Sequence, residues 1–280
     1  MHYSDLIDLK HYPVDTSSTV LQEKIAKARR GLRQDGCAVL RGFLSEAGVV
    51  EMKREADANA SHARQTFNRT NVYFTEDDIS LPKTHPKRRF FDRSNAFVPA
   101  DNFGASGALR TVFNAPGFDA FVQHCLEERA FFRYADPLAD AIVNVAEEGP
   151  GFPWHFDTNN FTVTLAIQNA ESGGAFEYAP AIRDAEGHEN FDAVSRVLDG
   201  TTDRVPRLNL QPGDLQLFRG RYSLHRVTPL AGKRPRYVAI LSYVDRPDMV
   251  ATPERAKQLY GRVLPIHLER AGQRSDTLID

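Results

Sequence analysis

From about Ala139 to Val244 the chain is a succession of short apolar or alternating runs, each ended within a few residues by turn formers. Runs at 141–145, 161–168, 175–178, 208–210, 215–218 and 237–244 read as strands. The turns between them include Gly173-Gly174 and Pro212-Gly213-Asp214. Many short strands with Gly/Pro turns suggest a sandwich or jelly roll. Helical signals cluster before them. Ser17 or Ser18 can cap a helix whose apolar positions Leu21, Ile25, Ala28 and Leu32 recur at helical spacing, and Gly36 ends it. Residues 37–44 read as a short strand, and Ser45 caps a second helix through Val49, Met52 and Ala56. A further helix runs through Phe118, Phe121, Val122 and Cys125, and another follows Pro253. The expected class is therefore α+β with a mainly β core and N-terminal helices packed on it.

At 280 residues the chain is near the upper limit for one hydrophobic core, so one elaborated domain is expected over 1–280. Within it, 1–138 is the helical region, 139–246 the jelly-roll core and 247–280 a C-terminal helical segment. Hydrophobic content of 41% and charged content of 26% describe an ordinary globular protein. A net charge of -2 gives no sign of a nucleic-acid or anionic-membrane partner, although Lys87-Arg88-Arg89 could hold a small anion. Cys37 and Cys125 are too few and too far apart for a disulfide framework, which suits a reducing compartment. With no signal-like N-terminus and no apolar run of membrane-spanning length, the expectation is a cytoplasmic protein.

Residues 66–103 mix turn formers, prolines, aromatics and arginines without a helical or strand period. The pairs Tyr73-Phe74 and Phe90-Phe91 are too apolar for disorder, so a long ordered binding loop or lid is expected there. A second polar segment, 183–207, interrupts the strands and reads as a lid or a surface insertion.

Within the strand region, His155-Phe156-Asp157 is followed by His225. In an extended segment His155 and Asp157 project to one face and Phe156 to the other. Glu148-Gly149-Pro150-Gly151 precedes the pair as a sharp turn, and the Pro212-Gly213-Asp214 turn leads into the strand carrying His225. Two imidazoles and one carboxylate can fill one face of a metal octahedron and leave positions open, an arrangement associated with non-haem Fe(II) oxygenases. Zinc is the competing ion, since the same donor set serves hydrolytic zinc.

Downstream of His225 lies Lys233-Arg234-Pro235-Arg236-Tyr237-Val238-Ala239-Ile240-Leu241. With this stretch in place, the chain resembles the Fe(II)/2-oxoglutarate-dependent oxygenases. Their motif is His-x-Asp, a distal His and then an arginine about ten residues on. The resemblance implies a double-stranded β-helix (jelly roll) carrying Fe(II) on His155, Asp157 and His225, with 2-oxoglutarate as cosubstrate and O2 as oxidant. The arginine that forks onto the far carboxylate of 2-oxoglutarate is expected to be Arg236, with Arg234 as the alternative. Asn71-Val-Tyr-Phe-Thr-Glu-Asp-Asp, Tyr134-Ala-Asp-Pro and Trp154-His-Phe-Asp-Thr-Asn look like the bacterial subgroup of free-amino-acid radical halogenases and their hydroxylase relatives. In the halogenases a glycine replaces the carboxylate ligand and leaves room for chloride. Asp157 is present here, so the resemblance implies hydroxylation.

The expected activity is hydroxylation of an unactivated C–H of a free or N-substituted amino acid, with succinate and CO2 as coproducts. The alternatives are desaturation or cyclisation at the same site, or a non-catalytic metal- or ligand-binding jelly roll. Asn144 and Thr164 are candidates to contact 2-oxoglutarate or substrate, the latter on one strand face with Thr162 and Gln168. Arg93, with Arg89 as the alternative, is the candidate for a substrate carboxylate; Tyr73, Phe152 and Trp154 are candidates to meet its apolar part. The expected partner is a small molecule, with a homodimer left open.

Overall fold

The computed structural model describes residues 1–184 and 186–270. Positions 271–280 of the C-terminal segment, and Ala185 of the 183–207 segment, lie outside the described residues.

The N-terminal third forms as its caps dictate. After the short α1 (Tyr3–Leu6), α2 (Thr19–Asp35) begins at Ser18, whose side chain accepts from Leu21 N, and ends at Gly36 with φ 64°. A left-handed residue is where a helix stops most cheaply on glycine. Strand β1 (Cys37–Leu40) follows directly, and α3 (Glu46–Asn59) is capped by the Ser45 hydroxyl on Gly48 N. The 66–103 region departs from the expected loop. It is a hairpin of β2 (Arg64–Thr70) and β3 (Phe91–Val98), closed by the loop 71–90. No apolar alternation announces these strands, because one β2 face meets solvent and the other a polar hollow. Phe67 accordingly points outward and is 69% exposed.

Two helices follow, α4 (Ala108–Phe113) and α5 (Phe118–Leu126), the first of them not foreseen. The remaining strands are β4 (Phe132–Arg133), β5 (Ala141–Ala146), β6 (Phe152–His155), β7 (Thr162–Gln168), β8 (Ser172–Gly173) and β9 (Phe176–Ala179). After α6 (Phe191–Leu198) come β10 (Arg207–Leu208), β11 (Leu215–Phe218), β12 (Leu224–Val227), β13 (Leu230–Ala231), β14 (Arg236–Leu241) and β15 (Tyr243–Val244). The chain closes with α7 (Pro253–Tyr260) and α8 (Pro265–Glu269). No helix among the described residues is long and apolar enough to cross a membrane.

Two antiparallel sheets build the core, one of seven strands in the order β1-β11-β7-β14-β5-β3-β2 and one of four in the order β10-β9-β12-β6. The period of two sorts every central strand of the larger sheet. Ala141, Val143 and Val145 of β5, Val163, Leu165 and Ile167 of β7, and Tyr237, Ala239 and Leu241 of β14 face the N-terminal helices in one continuous hydrophobic core. Their alternates, Asn144, Thr164 and Arg236 among them, face the smaller sheet across a cavity of about 840 Å³. The smaller sheet is sorted likewise. His155 and His225 point into the cavity, while Trp154 and Leu224 pack outward against Val72, Tyr73, Val194 and Val197.

The segment 183–207 belongs to that outer layer. Its helix α6 covers the back of the smaller sheet, and Arg183, fully buried, lies 3.9 Å over the Phe156 ring and bonds Glu189 at 3.3 Å. It is a cover for the sheet on the side away from the cavity.

Candidate metal centre

His155 at the end of β6 and His225 in β12 are direct partners across an antiparallel pair. Their rings stand 4.2 Å apart, centroid to centroid. Each Nδ1 lies against a backbone carbonyl, His155 against Pro153 O at 2.8 Å and His225 against Ser223 O at 2.9 Å. A carbonyl only accepts, so both Nδ1 atoms carry the proton and both Nε2 lone pairs are left for a metal. The two Nε2 atoms lie 3.7 and 3.4 Å from Asp157 Oδ1. Ligands at about 2.0–2.2 Å from one ion, at right angles, stand roughly 3 Å apart, so small side-chain adjustments would close the set on a cation. The donor set suits Fe(II) or zinc and leaves a face open.

The carboxylate is aimed by its other oxygen. The Thr162 hydroxyl donates to Asp157 Oδ2 at 2.5 Å, and Asp157 N donates to Gly220 O at 3.1 Å. Gly220 has no room for a side chain: a Cβ there would stand 1.9 Å from Asp157 Oδ2. Burial by itself would raise the Asp157 carboxyl, but His225, His155 and the Thr162 hydroxyl outweigh it and hold it below the usual carboxylate range. Burial, then the charges of His225 and Arg93, push His155 well below its ordinary value. A neutral imidazole and an ionised carboxylate are the ligating forms.

Arg236, the first residue of β14, is 7% exposed and lines the same cavity. No carboxylate or carbonyl among the described residues pairs with its guanidinium, and burial lowers its pKa to about 10. A cation held this way is a ready seat for an anion. Gly174 makes room for it: its φ is +70°, and a Cβ would sit 3.1 Å from Arg236 Cδ. Arg234, two residues earlier, lies elsewhere. Its Nε and Nη2 donate to the carbonyls of Asn169 and Ala170 at 3.0 and 3.1 Å, outside the cavity lining.

The other sequence candidates divide in the same way. Arg93, Phe152, Asn144 and Thr164 line the cavity. Asn144 spends its amide on Ala96 O at 3.0 Å, and Thr164 donates to Gln216 Oε1 at 3.1 Å. Arg89 does not reach the cavity, because it pairs with Asp199 at 2.6 Å and bonds Leu198 O at 3.1 Å. Tyr73 and Trp154 fall on the outward faces of their segments. Tyr73 stacks on Phe156 at 5.6 Å, and Trp154 lies under Arg226 at 4.7 Å.

Phe74, the neighbour of Tyr73, turns inward instead, at φ 61° and 5.7 Å from the His155 ring. Several lining residues were not singled out from the sequence, namely Phe176, Phe218, Gln216, Arg255 and Tyr260. Strand alternation beside His225 points to Phe218 and Gln216. Nothing local in Pro253–Tyr260 signals that its helix walls the cavity.

The family model described as Halogenase D matches residues 20–260. A search of curated proteins found no significant match. Among solved structures, the chain is similar to the epimerase SnoN in complex with Fe3+, alpha ketoglutarate and nogalamycin RO. The identity is 16%, coverage is 94% of both chains and the TM-score is 0.55. It is also similar to an oxidoreductase of the 2OG-Fe(II) oxygenase family from Burkholderia pseudomallei, at 12% identity, 79% and 91% coverage and TM-score 0.52. A prolyl hydroxylase from Trichoplax adhaerens in complex with a peptide fragment matches at 16% identity, 82% and 95% coverage and TM-score 0.51. These likenesses are ones of fold, and of the sandwich or jelly roll that the strand pattern allowed, that fold is the jelly roll that the resemblance implied.

Proposed function

The chain belongs to the Halogenase D family, and on that premise we propose that it is an Fe(II)- and 2-oxoglutarate-dependent dioxygenase. Its reaction would be hydroxylation of an unactivated C–H of an amino acid or amino-acid derivative, with succinate and CO2 as coproducts. One observation carries the reading. The His155, Asp157 and His225 ligand atoms converge within 4.8 Å of one another, and the buried guanidinium of Arg236 faces the same cavity without an acidic partner among the described residues. Metal binding alone has no use for that second, anion-seeking group.

His155 Nε2, His225 Nε2 and Asp157 Oδ1 would hold Fe(II), and Arg236 would fork onto the far carboxylate of 2-oxoglutarate. When bound, the metal and cosubstrate supply, with O2, the oxidising power that no side chain here possesses. The protein's part is placement and exclusion of water. Phe152, Phe176, Val238 and Ile240 give the cavity apolar walls around the triad. Phe74 closes over His155, and Arg93 stands beside it with its guanidinium 4.5 Å from the Phe74 ring. An anionic group on Arg93 would leave the aliphatic part of a substrate over the open face of the triad. On a bound metal Asp157 would take the place that the resemblance assigns to a halide, which supports oxygen transfer over chlorination.

The direct test is optical. Anaerobic addition of Fe(II) and 2-oxoglutarate to the folded protein is expected to give a weak visible charge-transfer band. A folded protein that binds Fe(II) but gives no band on adding 2-oxoglutarate would remove the cosubstrate from the reading.

A further inference from the structure

Phe74 does more than cover His155. A second chamber of about 460 Å³ adjoins the cavity of the triad, between β2 and α7, with Thr66, Asn68 and Thr70 of β2 in its wall. Phe74 lines both spaces. The same ring therefore stands 5.7 Å from the His155 imidazole and borders the outer chamber. The guanidinium groups of Arg93 in β3 and Arg255 in α7 pack on it, at 4.5 and 5.7 Å from its centroid. It fills the gap between hairpin and helix.

The backbone beneath this ring is in an unfavourable conformation. Its φ is 61°, in the left-handed region where a Cβ crowds the neighbouring carbonyl. Glycine meets no such penalty, and asparagine or aspartate offsets it with local hydrogen bonds; phenylalanine does neither. Of the five non-glycine residues with positive φ among the described residues, Phe74 is the one aromatic. A conformation of this kind persists only where the surrounding structure over-determines it.

Asn71 supplies that constraint. It is fully buried, and its Oδ1 accepts from Tyr73 N at 3.0 Å and Thr75 N at 3.2 Å, the residues on either side of Phe74. Its Nδ2 donates to Thr75 O and Thr75 Oγ1, both at 3.0 Å, and across the loop to Lys87 O at 2.7 Å. The Asn71 carbonyl accepts from Phe74 N itself at 3.2 Å. The acceptor and the donors of the side-chain amide are all used, so aspartate would lose the donors and leucine both halves. The next residue ties the turn to the metal centre: Val72 O accepts at 3.0 Å from Phe156 N, between His155 and Asp157. With Tyr73 stacked behind on Phe156 and Thr75 held by the clamp, Phe74 is left to turn inward.

We propose that Asn71 is a positioning residue for the metal centre. It clasps the backbone on both sides of Phe74 and holds that ring, against its backbone preference, as the partition between the triad cavity and the outer chamber. The partition shields a bound metal from that side. The proposal goes beyond the reaction read above, since it requires the metal centre and no particular substrate.

The test reads stability and metal release on the full chain. At an ordinary position a glycine variant melts below the alanine variant. At position 74 the order is expected to invert, with metal-free Phe74→Gly melting about 2 °C or more above Phe74→Ala. Asn71→Ala is expected to lower the melting temperature, and by less when combined with Phe74→Gly, because glycine holds the turn unaided. The chain is then loaded anaerobically with Fe(II) and mixed with the chelator ferrozine. Phe74→Ala and Asn71→Ala are both expected to release iron severalfold faster than wild type, as the opening of a closed site implies. Ser45→Ala, which removes the α3 cap outside the cavity lining, is expected to lower the melting temperature and leave the release rate unchanged. Phe74→Gly melting at or below Phe74→Ala, or an Asn71→Ala cost undiminished on the Phe74→Gly background, would overturn the proposal. So would wild-type release rates in Phe74→Ala or in a folded Asn71→Ala protein, or failure of Asn71→Ala to fold even with Phe74→Gly. A wild-type chain that binds no Fe(II) would count against the metal centre, and the two melting comparisons then decide the clamp on their own.

Discussion

Thr162 Oγ1 lies 2.5 Å from Asp157 Oδ2, the carboxylate oxygen other than the one approached by the two histidines. This bond would leave Oδ1 as the oxygen free to hold a metal ion beside the two histidines. Partners of this kind typically contribute about 10- to 100-fold in metal affinity. Thr162→Val keeps the shape and removes the donor. It is expected to weaken Fe(II) binding about tenfold in a chelator-competition assay. Unchanged affinity would mean that the histidine pair fixes the carboxylate unaided.

Gly220→Ala acts on the same oxygen from the other side. The added methyl would stand 1.9 Å from Asp157 Oδ2, so the carboxylate must leave its place. The expected result is a larger loss of metal affinity than Thr162→Val causes, with the melting temperature changed by only a few degrees. Tight metal binding in the alanine variant would show that Asp157 is not held against Gly220.

Arg236 and Arg234 separate by a single measurement. Arg236→Gln removes the cavity-facing charge, and loss of a charge-assisted pair worth roughly 1.5–3 kcal/mol raises the 2-oxoglutarate KM by about 10- to 100-fold. Arg234→Gln removes bonds to the Asn169 and Ala170 carbonyls at the rim and is expected to leave that KM within about twofold. The reverse result would move the anchor by two residues.

The thiols give a check that is independent of activity. Burial first of all pushes both Cys37 and Cys125 up to about 12, so neither is a thiolate near neutral pH. Native protein is expected to resist a disulfide-exchange reagent at about pH 8 and to release both thiols only on unfolding. Fast labelling of either one in the native state would contradict the packing of β1 against β11 or of α5 in the helical layer.

The residues that could be read from sequence are those whose signal is local. Ser18, Ser45 and Gly36 mark helix ends because capping is settled within a few residues. The alternation in 162–168 and 236–241 assigns faces because a strand repeats every two residues, and it carries Arg236 and Thr164 to the cavity. The hairpin β2–β3 was hidden, since a strand with solvent on one face and a polar chamber on the other shows no apolar period. Tyr73 and Phe74 looked alike as neighbouring aromatics. Only tertiary packing sends the first behind the smaller sheet and the second over His155. Arg255 was out of reach for the same reason, because its place follows from how α7 docks on the hairpin. On either side of α7, Ala251 N and the fully buried His267 Nε2 both lie against Asp136 Oδ2, at 2.9 and 3.0 Å.

The measurement closest to the central claim is mass spectrometry of product formed by the wild-type chain with Fe(II), 2-oxoglutarate, O2 and excess chloride, run alongside succinate quantitation. With a bound substrate from a panel of amino acids and amino-acid derivatives, the expected product gains one oxygen atom and one succinate appears per product. A product that carries chlorine with Asp157 in place, or turnover of substrate without succinate, would contradict the assignment of His155, Asp157, His225 and Arg236 to a 2-oxoglutarate-dependent hydroxylase.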